Sequence, residues 1–141
     1  MPDMTPKEME EYLSGKHIAQ LATLNPDGSP HLIPIWYWYA DGKLYMAGGN
    51  TGAKARNIRR DPRVIVSITG PEQPYKYVLV HGNAQIVTEE IEQLTLAVYT
   101  RYMGQEGGAE FARESLERPS PGVIVVSPTK IITRQFDRVF Y

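Results

Sequence analysis

The chain has 141 residues, a formal net charge of −1 and no cysteine. Its length suits one domain with a core of its own, so we expect a single domain over residues 1–141. The lack of cysteine excludes disulfides, thiol catalysis and thiolate metal sites, and the near-zero net charge argues against a nucleic-acid partner. No segment has the apolar run of a signal peptide or a membrane span, so we expect a cytoplasmic protein with no membrane partner.

The apolar and β-branched pattern predicts six or seven strands joined mostly by hairpins. Turn signals such as Asn25-Pro26-Asp27-Gly28 and Asp41-Gly42 separate them, and a bulge is expected at His81-Gly82. We therefore predict a mainly β fold, an antiparallel barrel with peripheral helices, because closure removes exposed sheet edges. The predicted strands are residues 17–24, 31–39, 43–48, 63–69, 75–87, 123–126 and 131–136.

Four helices are predicted around these strands. Thr5, Pro6 and Glu8 have the spacing of a capped helix start. A short cationic helix ends at Asp61-Pro62, because the residue before proline avoids the helical region. The last two helices are residues 88–103 and 109–116, with a break between them at residues 104–108.

The second predicted strand contains Pro34, which cannot donate to a ladder, so this strand should lie at an edge or bulge there. An irregular strand beside aromatic residues offers backbone groups to a planar ligand; an edge irregularity without a ligand is the alternative. Alternation places Trp36 and Trp38 on one face and Tyr37 and Tyr39 on the other.

Residues 44–63, LYMAGGNTGAKARNIRRDPR, predict a strand that ends at Gly48-Gly49, a polar turn and a short cationic helix. Glycine lets a backbone approach a ligand closely, and Asn50 or Thr51 is expected to cap the helix. A helix N-terminus attracts anions.

Lys54 and Asn57 are three residues apart and should share one helix face. We predict that this stretch binds a phosphorylated ligand; a solvated basic helix face is the alternative. The stretch also contains four further cations, namely Arg56, Arg59, Arg60 and Arg63.

No set of catalytic side chains is evident. His17, His31 and His81 fall on different predicted strands without the spacing of metal ligands, so each is expected to be a structural or surface histidine and no metal site is predicted. A nucleophile elbow, a Walker phosphate loop and a dinucleotide glycine motif are missing. If the protein is an enzyme, a cofactor carries the reaction and the chain supplies position and electrostatics.

Several motifs occur in the order of a known family. They resemble the split β-barrel family related to pyridoxamine 5′-phosphate oxidase, and most closely its branch of deazaflavin (coenzyme F420)-dependent oxidoreductases. The resemblance covers roughly residues 5–136. Its motifs are LATxxxDGxPH from Leu21, PIWY from Pro34, DGKLY from Asp41, KARNIRRDPR from Lys54 and PYKYVxVxGxA from Pro74.

The resemblance implies a homodimer with two cofactors, FMN or coenzyme F420, in clefts at the subunit interface. By the family's pattern Lys54 and Asn57 would contact the cofactor's phosphate, and Thr51 would contribute from the turn. Gly48, where the backbone can approach a ligand closely, completes this predicted set.

The same pattern places Pro34, Ile35 and Trp36 along the tricyclic ring of the cofactor, mainly through backbone atoms. Substrate residues are not identified; Tyr77 and Trp38 are candidates to line a cleft.

Two departures from the family pattern matter. Deazaflavin-binding members often carry an extra basic residue where this chain has Gly52-Ala53, which weakens the case for the deazaflavin over FMN. Pyridoxamine phosphate oxidases end in a segment with tryptophan, arginine and histidine that binds their substrate. This chain ends in RQFDRVFY, so that particular activity is not expected.

The predicted function is an oxidoreductase that transfers a hydride between a flavin-type cofactor and a small, unsaturated substrate. A non-catalytic carrier or sensor of a flavin, haem or bilin on the same scaffold is the alternative. A nucleic-acid module built on the arginine cluster is disfavoured, because stacking aromatic residues are not interleaved with it.

Overall fold

A computed structural model describes residues 3–72 and 74–136. Residue 73 of the predicted loop 70–74, and residues 137–141 of the chain's ending, lie outside the described residues. The described elements are α1 (Pro6–Leu13), β1 (Ile18–Leu24), β2 (Pro30–Ile35), β3 (Trp38–Ala40), β4 (Lys43–Gly49), α2 (Ala53–Arg60), β5 (Arg63–Thr69), β6 (Lys76–Val87), α3 (Glu92–Glu117) and β7 (Pro121–Gln135).

Within these residues the strands form one seven-stranded antiparallel sheet in the order β2-β1-β5-β6-β7-β4-β3. The edge strands β2 and β3 are consecutive in the chain, and only Trp36 and Tyr37 join them. We call these two residues the seam. An extended chain advances at most about 3.6 Å per residue, so the two edges meet at the seam and the sheet curls into a barrel. The predicted mainly β split barrel with peripheral helices is confirmed.

The prediction of one continuous strand over residues 31–39 is wrong, because the chain leaves the sheet at the seam. Pro34 is not the point of departure. It pairs with Gln20 inside β2, and proline is tolerated there because β2 is an edge strand.

The predicted bulge at His81-Gly82 is confirmed. His81 pairs with Lys130 and Gly82 with Pro128, so Thr129 is the additional residue on β7. A Cβ on Gly82 would lie 2.5 Å from the carbonyl oxygen of Ser127, which only glycine avoids. The bulge absorbs Pro128, so the two separate strands predicted at the chain's end are one strand, β7.

The core lies inside the barrel and is closed at one end by α1. Thr5 and Glu8 form the predicted capping box, with the Glu8 N–H donating to Thr5 Oγ1 at 3.2 Å. Tyr37 is the largest fully buried side chain, and its hydroxyl donates to the Leu13 carbonyl oxygen at 2.8 Å. The largest other fully buried side chains are Leu13, Leu21, Leu44, Met46, Ile68 and Ile124.

The two predicted C-terminal helices form α3, which breaks at Gly104, where φ is 80°. The second segment packs back on the first, since a Cβ on Gly108 would lie 2.6 Å from the backbone nitrogen of Thr100. Among the described residues, no helix combines the length and apolarity that a membrane crossing requires.

Gly108 and its neighbour Gly107 provide a matched test of this packing. Gly108→Ala should lower the free energy of unfolding by about 1–3 kcal/mol, because the new Cβ overlaps the Thr100 backbone. A Cβ on Gly107 meets nothing nearer than the Met103 Cβ at 3.9 Å, so Gly107→Ala should raise stability by about 0.5–1 kcal/mol. Urea titration of both variants checks this, and equal effects would contradict the packing of the two segments.

Candidate functional site

The candidate phosphate site is built where β4 ends and α2 begins. Lys54 lies in the first turn of α2, and its side chain runs back across Gly48. A Cβ on Gly48 would lie 3.3 Å from Lys54 Cε and 3.5 Å from Nζ. Gly48 thus leaves room for the lysine, whose ammonium group lies over the end of β4.

The turn between β4 and α2 differs from the prediction that Asn50 or Thr51 caps the helix. The N-cap is Gly52, with φ 95° and no side-chain capping bond. The Asn50 side chain instead donates to the Pro121 carbonyl oxygen at 3.2 Å, and its backbone N–H donates to Ser120. Thr51 is exposed beside the helix start. The first N–H groups of α2 therefore have no side-chain acceptor in this turn, which suits an anion.

Asn57 is 2% exposed and lies in an internal hydrogen-bond network. Its amide nitrogen donates to Thr23 Oγ1 at 3.0 Å and to Asn25 Oδ1 at 3.1 Å, while its oxygen accepts from Arg60 at 2.7 Å. These contacts fix α2 against β1 and the turn that follows it. Contact between Asn57 and a phosphate stays a prediction; the structure places its amide groups on partners within the chain.

The cations of this stretch divide into two groups. Arg60 also donates to the Leu24 carbonyl oxygen at 2.8 Å, and Arg59 donates to that of Asn50. Arg63 forms an ion pair with Asp61 at 2.6 Å, and its guanidinium lowers the pKa of that carboxyl group to about 2. Lys54 and Arg56 have no hydrogen-bond or ion-pair partner within residues 3–72 and 74–136. The positive charges of Lys54 and Arg56 are therefore not neutralised by an ion pair among these residues.

The predicted ring-binding segment lies at the end of β2 and the start of the seam. Pro34 is exposed, and Ile35 and Trp36 are half-buried. The Trp36 indole stacks on Tyr102 of α3, with ring centroids 4.7 Å apart and an angle of 5° between the planes. Tyr99 meets the same indole edge-on at 6.0 Å. The Trp36 side chain is thus engaged by α3, and contact of this segment with a cofactor ring stays a prediction.

The two cleft candidates lie in different places. Trp38 packs on Tyr45 of β4, with ring centroids 5.4 Å apart, whereas Tyr77 of β6 lies beside Phe136. Sequence reasoning missed Tyr102, which contacts Trp36. In the sequence, Tyr102 is one of the positions with helical spacing in the predicted helix 88–103, a pattern that indicates packing and no contact with Trp36.

A cleft of about 620 Å³ opens between α1 and a second wall that includes Gly70, Pro71 and Lys76. Tyr12 and His17 stack on its wall, with ring centroids 4.3 Å apart. Burial lowers the pKa of His17 and raises that of Tyr12. None of the predicted cofactor-binding residues lines this cleft. No group of histidine and carboxylate side chains able to hold a metal ion occurs in the described part of the chain.

The curled antiparallel sheet, the seam and the peripheral helices define a split β-barrel. Residues 5–135 match the pyridoxamine 5′-phosphate oxidase family. The chain belongs to this family.

Solved structures agree with this assignment. A conserved hypothetical protein from Mycobacterium tuberculosis, Rv2991, is similar at 25% identity with a TM-score of 0.82, over 94% of this chain and 85% of that one. A protein described as an F420 reductase is similar at 28% identity with a TM-score of 0.69, over 86% of this chain and 94% of that one. A pyridoxamine 5′-phosphate oxidase-related, FMN-binding protein from Nostoc punctiforme shares the fold at 14% identity, with a TM-score of 0.67 over 94% and 85% of the two chains.

The Asn57 network predicts a stability effect. Asn57→Ala should lower the free energy of unfolding by about 1–3 kcal/mol, because Thr23 loses a partner in a buried setting and the part-buried contacts with Asn25 and Arg60 are also lost. The matched control is Arg56→Ala on the same helix, which is exposed and should change stability by less than about 0.5 kcal/mol. Chemical denaturation of both variants measures the difference, and an Asn57→Ala protein as stable as the control would contradict the network.

Proposed function

We propose that the protein is an oxidoreductase that binds a flavin-type cofactor, FMN or the deazaflavin coenzyme F420, and transfers a hydride to or from a small, unsaturated substrate. The observation that carries the proposal is the uncompensated ammonium of Lys54 over Gly48, at a helix start without a side-chain cap. The similarity to an F420 reductase favours the deazaflavin. FMN remains the alternative cofactor, because an FMN-binding protein shares the fold.

The residues at the start of α2 fit a phosphate by their chemistry. The first turn of α2 contains no acidic residue, so a phosphate there meets positive charge and free N–H groups. Lys54 would neutralise the phosphate, and the exposed Thr51 hydroxyl and the backbone at Gly48 would lie beside it. Asn57 would contribute by holding α2 in place, and by contact if its amide exchanges partners on binding.

The backbone of Pro34, Ile35 and Trp36 would lie along the cofactor ring. When bound, the ring supplies the hydride chemistry. The chain supplies charge at the phosphate and a fixed wall at the ring, which agrees with the lack of a catalytic side-chain set in the sequence.

Lys54→Ala should weaken the affinity for the cofactor by about tenfold to a hundredfold, because a charge-assisted contact is lost. The matched control is Lys43→Ala, which removes the same charge from the exposed start of β4. Titration of the purified proteins with FMN and with coenzyme F420, followed by absorbance and fluorescence, measures the dissociation constants. Equal affinities for Lys54→Ala and Lys43→Ala would refute the assigned role.

A turnover assay on the cofactor-loaded protein separates the enzyme from a carrier or sensor. In an oxidoreductase, the bound cofactor should be reduced and reoxidised repeatedly when a reductant and an unsaturated acceptor are supplied together. A cofactor that binds but never turns over with any donor and acceptor would favour the carrier.

We also propose that the protein acts as a homodimer through the outer face of β2, β1 and β5. Leu32, Ala22 and Ile65 are in register across the three strands, and Leu32 and Ile65 are 63% and 41% exposed. A groove of about 550 Å³ borders this row at Ile65, His81 and Thr129. Contiguous exposed apolar side chains on a sheet are typical of an interface, and a two-fold axis would bring the same face of two copies together.

Ile65→Asp should convert the dimer to a monomer, since symmetry would bury two unpaired carboxylates. Met103→Asp is the control, because Met103 is 40% exposed and lies on α3, away from this face. Sedimentation equilibrium distinguishes the two states. A monomeric wild-type protein, or a dimer that persists in Ile65→Asp, would contradict the proposed interface.

A further inference from the structure

Two neighbouring residues of α3, Arg101 and Tyr102, join three parts of the chain that are distant in sequence. They contact the end of α1, the connection from α1 to β1 and the seam. We call this pair the α3 clamp.

Tyr102 holds both the side chain and the following peptide of Trp36. Its hydroxyl donates to the His17 carbonyl oxygen at 2.7 Å and accepts from the backbone N–H of Tyr37 at 3.3 Å. Its ring is stacked almost parallel on the Trp36 indole. The orientation of the Trp36 backbone is therefore set from α3.

The seam needs such a contact because it lies outside the sheet. Trp36 and Tyr37 belong to neither β2 nor β3, so no strand partner accepts from the Tyr37 N–H. Tyr37 is fully buried, and a buried N–H without an acceptor is costly. The Tyr102 hydroxyl takes the place of the missing ladder partner.

Arg101 keeps Tyr102 in position. Its guanidinium donates to the carbonyl oxygens of Leu13 at 2.8 Å and Ser14 at 3.0 Å, and also to that of Gly15. These carbonyls end α1 and carry the negative pole of the helix, which attracts a cation. The guanidinium also lies over the rings of Tyr37 and Tyr102, 5.0 and 5.5 Å from their centroids.

We propose that Tyr102 is a positioning residue for the cofactor: its hydroxyl fixes the Trp36–Tyr37 peptide that forms the wall along which the ring lies. The inference rests on the proposed function, since it concerns a ring bound at this wall. Tyr102 acts through the Trp36 backbone and does not have to touch the ring itself.

Tyr102→Phe tests the proposal, because it removes the hydroxyl and keeps the stacked ring. Tyr99→Phe is the matched control. Tyr99 lies on the same helix and packs on the same indole, but its hydroxyl has no hydrogen-bond partner among residues 3–72 and 74–136. Both variants keep the core packing, and amides of β5 and β6 serve as an internal reference for folding.

Two measurements are made on each protein. Hydrogen exchange of the Tyr37 amide in the cofactor-free protein should be roughly five to ten times faster in Tyr102→Phe than in Tyr99→Phe, with β5 and β6 unchanged. Titration with FMN and with coenzyme F420 should show a dissociation constant roughly five to ten times higher in Tyr102→Phe, with an altered absorbance band of the bound ring.

The outcomes separate this inference from the proposed function. If the wild-type protein binds neither cofactor, the proposed function fails and the positioning role with it. If the wild-type protein binds but Tyr102→Phe matches Tyr99→Phe in affinity and spectrum, only the positioning role is overturned. Unchanged exchange at the Tyr37 amide would also overturn it.

Discussion

Trp36 and Tyr37 are the only residues between the two edge strands of the sheet, so its edges must meet within the reach of two extended residues. A flat sheet of this size cannot satisfy that constraint, and a curled one can. The seam then has no strand partners, and its polar groups depend on side chains from elsewhere. Tyr102 accepts from the Tyr37 N–H, and the Tyr37 hydroxyl donates to the end of α1. The contacts that satisfy the seam therefore also attach α1 and α3 to the barrel.

At the start of α2, as at the seam, side-chain contacts within the chain determine which polar groups have partners. Asn57 and Arg60 use their side chains to attach the helix to β1 and its turn, and Arg59 closes the preceding turn. Because the side chains of Arg59 and Arg60 form hydrogen bonds within the chain, the cations of this segment that have no such partner are Lys54 and Arg56. Positions two apart on a helix point in different directions, so only one of the two can face a ligand at Gly48. The contact between Lys54 and Gly48 identifies which one.

Local patterns were sufficient for most of the fold. Neighbouring residues encode the alternation of β5, with Val64, Val66 and Ile68 inward. They also encode the irregularity at His81-Gly82 of β6, opposite the additional residue of β7. The departures come from distant partners. The Asn50 side chain bonds to Pro121, 71 residues away, so Gly52 takes the N-cap position. Asn57 shares helical spacing with Lys54, yet Thr23 lies 34 residues before it and takes its amide.

For the same reason, the proposed ring side of the site was less predictable than the proposed phosphate side. Glycine, lysine and a helix start lie within a few residues of one another, so sequence spacing brings them together. The proposed wall at Trp36 depends instead on the hydrogen bond between Tyr37 and Tyr102, which are 65 residues apart. No sequence pattern in either segment indicates the other. A family motif marks the wall because the motif lies on the strand that ends there. Tyr102 lies on α3, where packing alone explains its place among the apolar positions of the helix. Its proposed positioning role therefore becomes evident only from the folded structure.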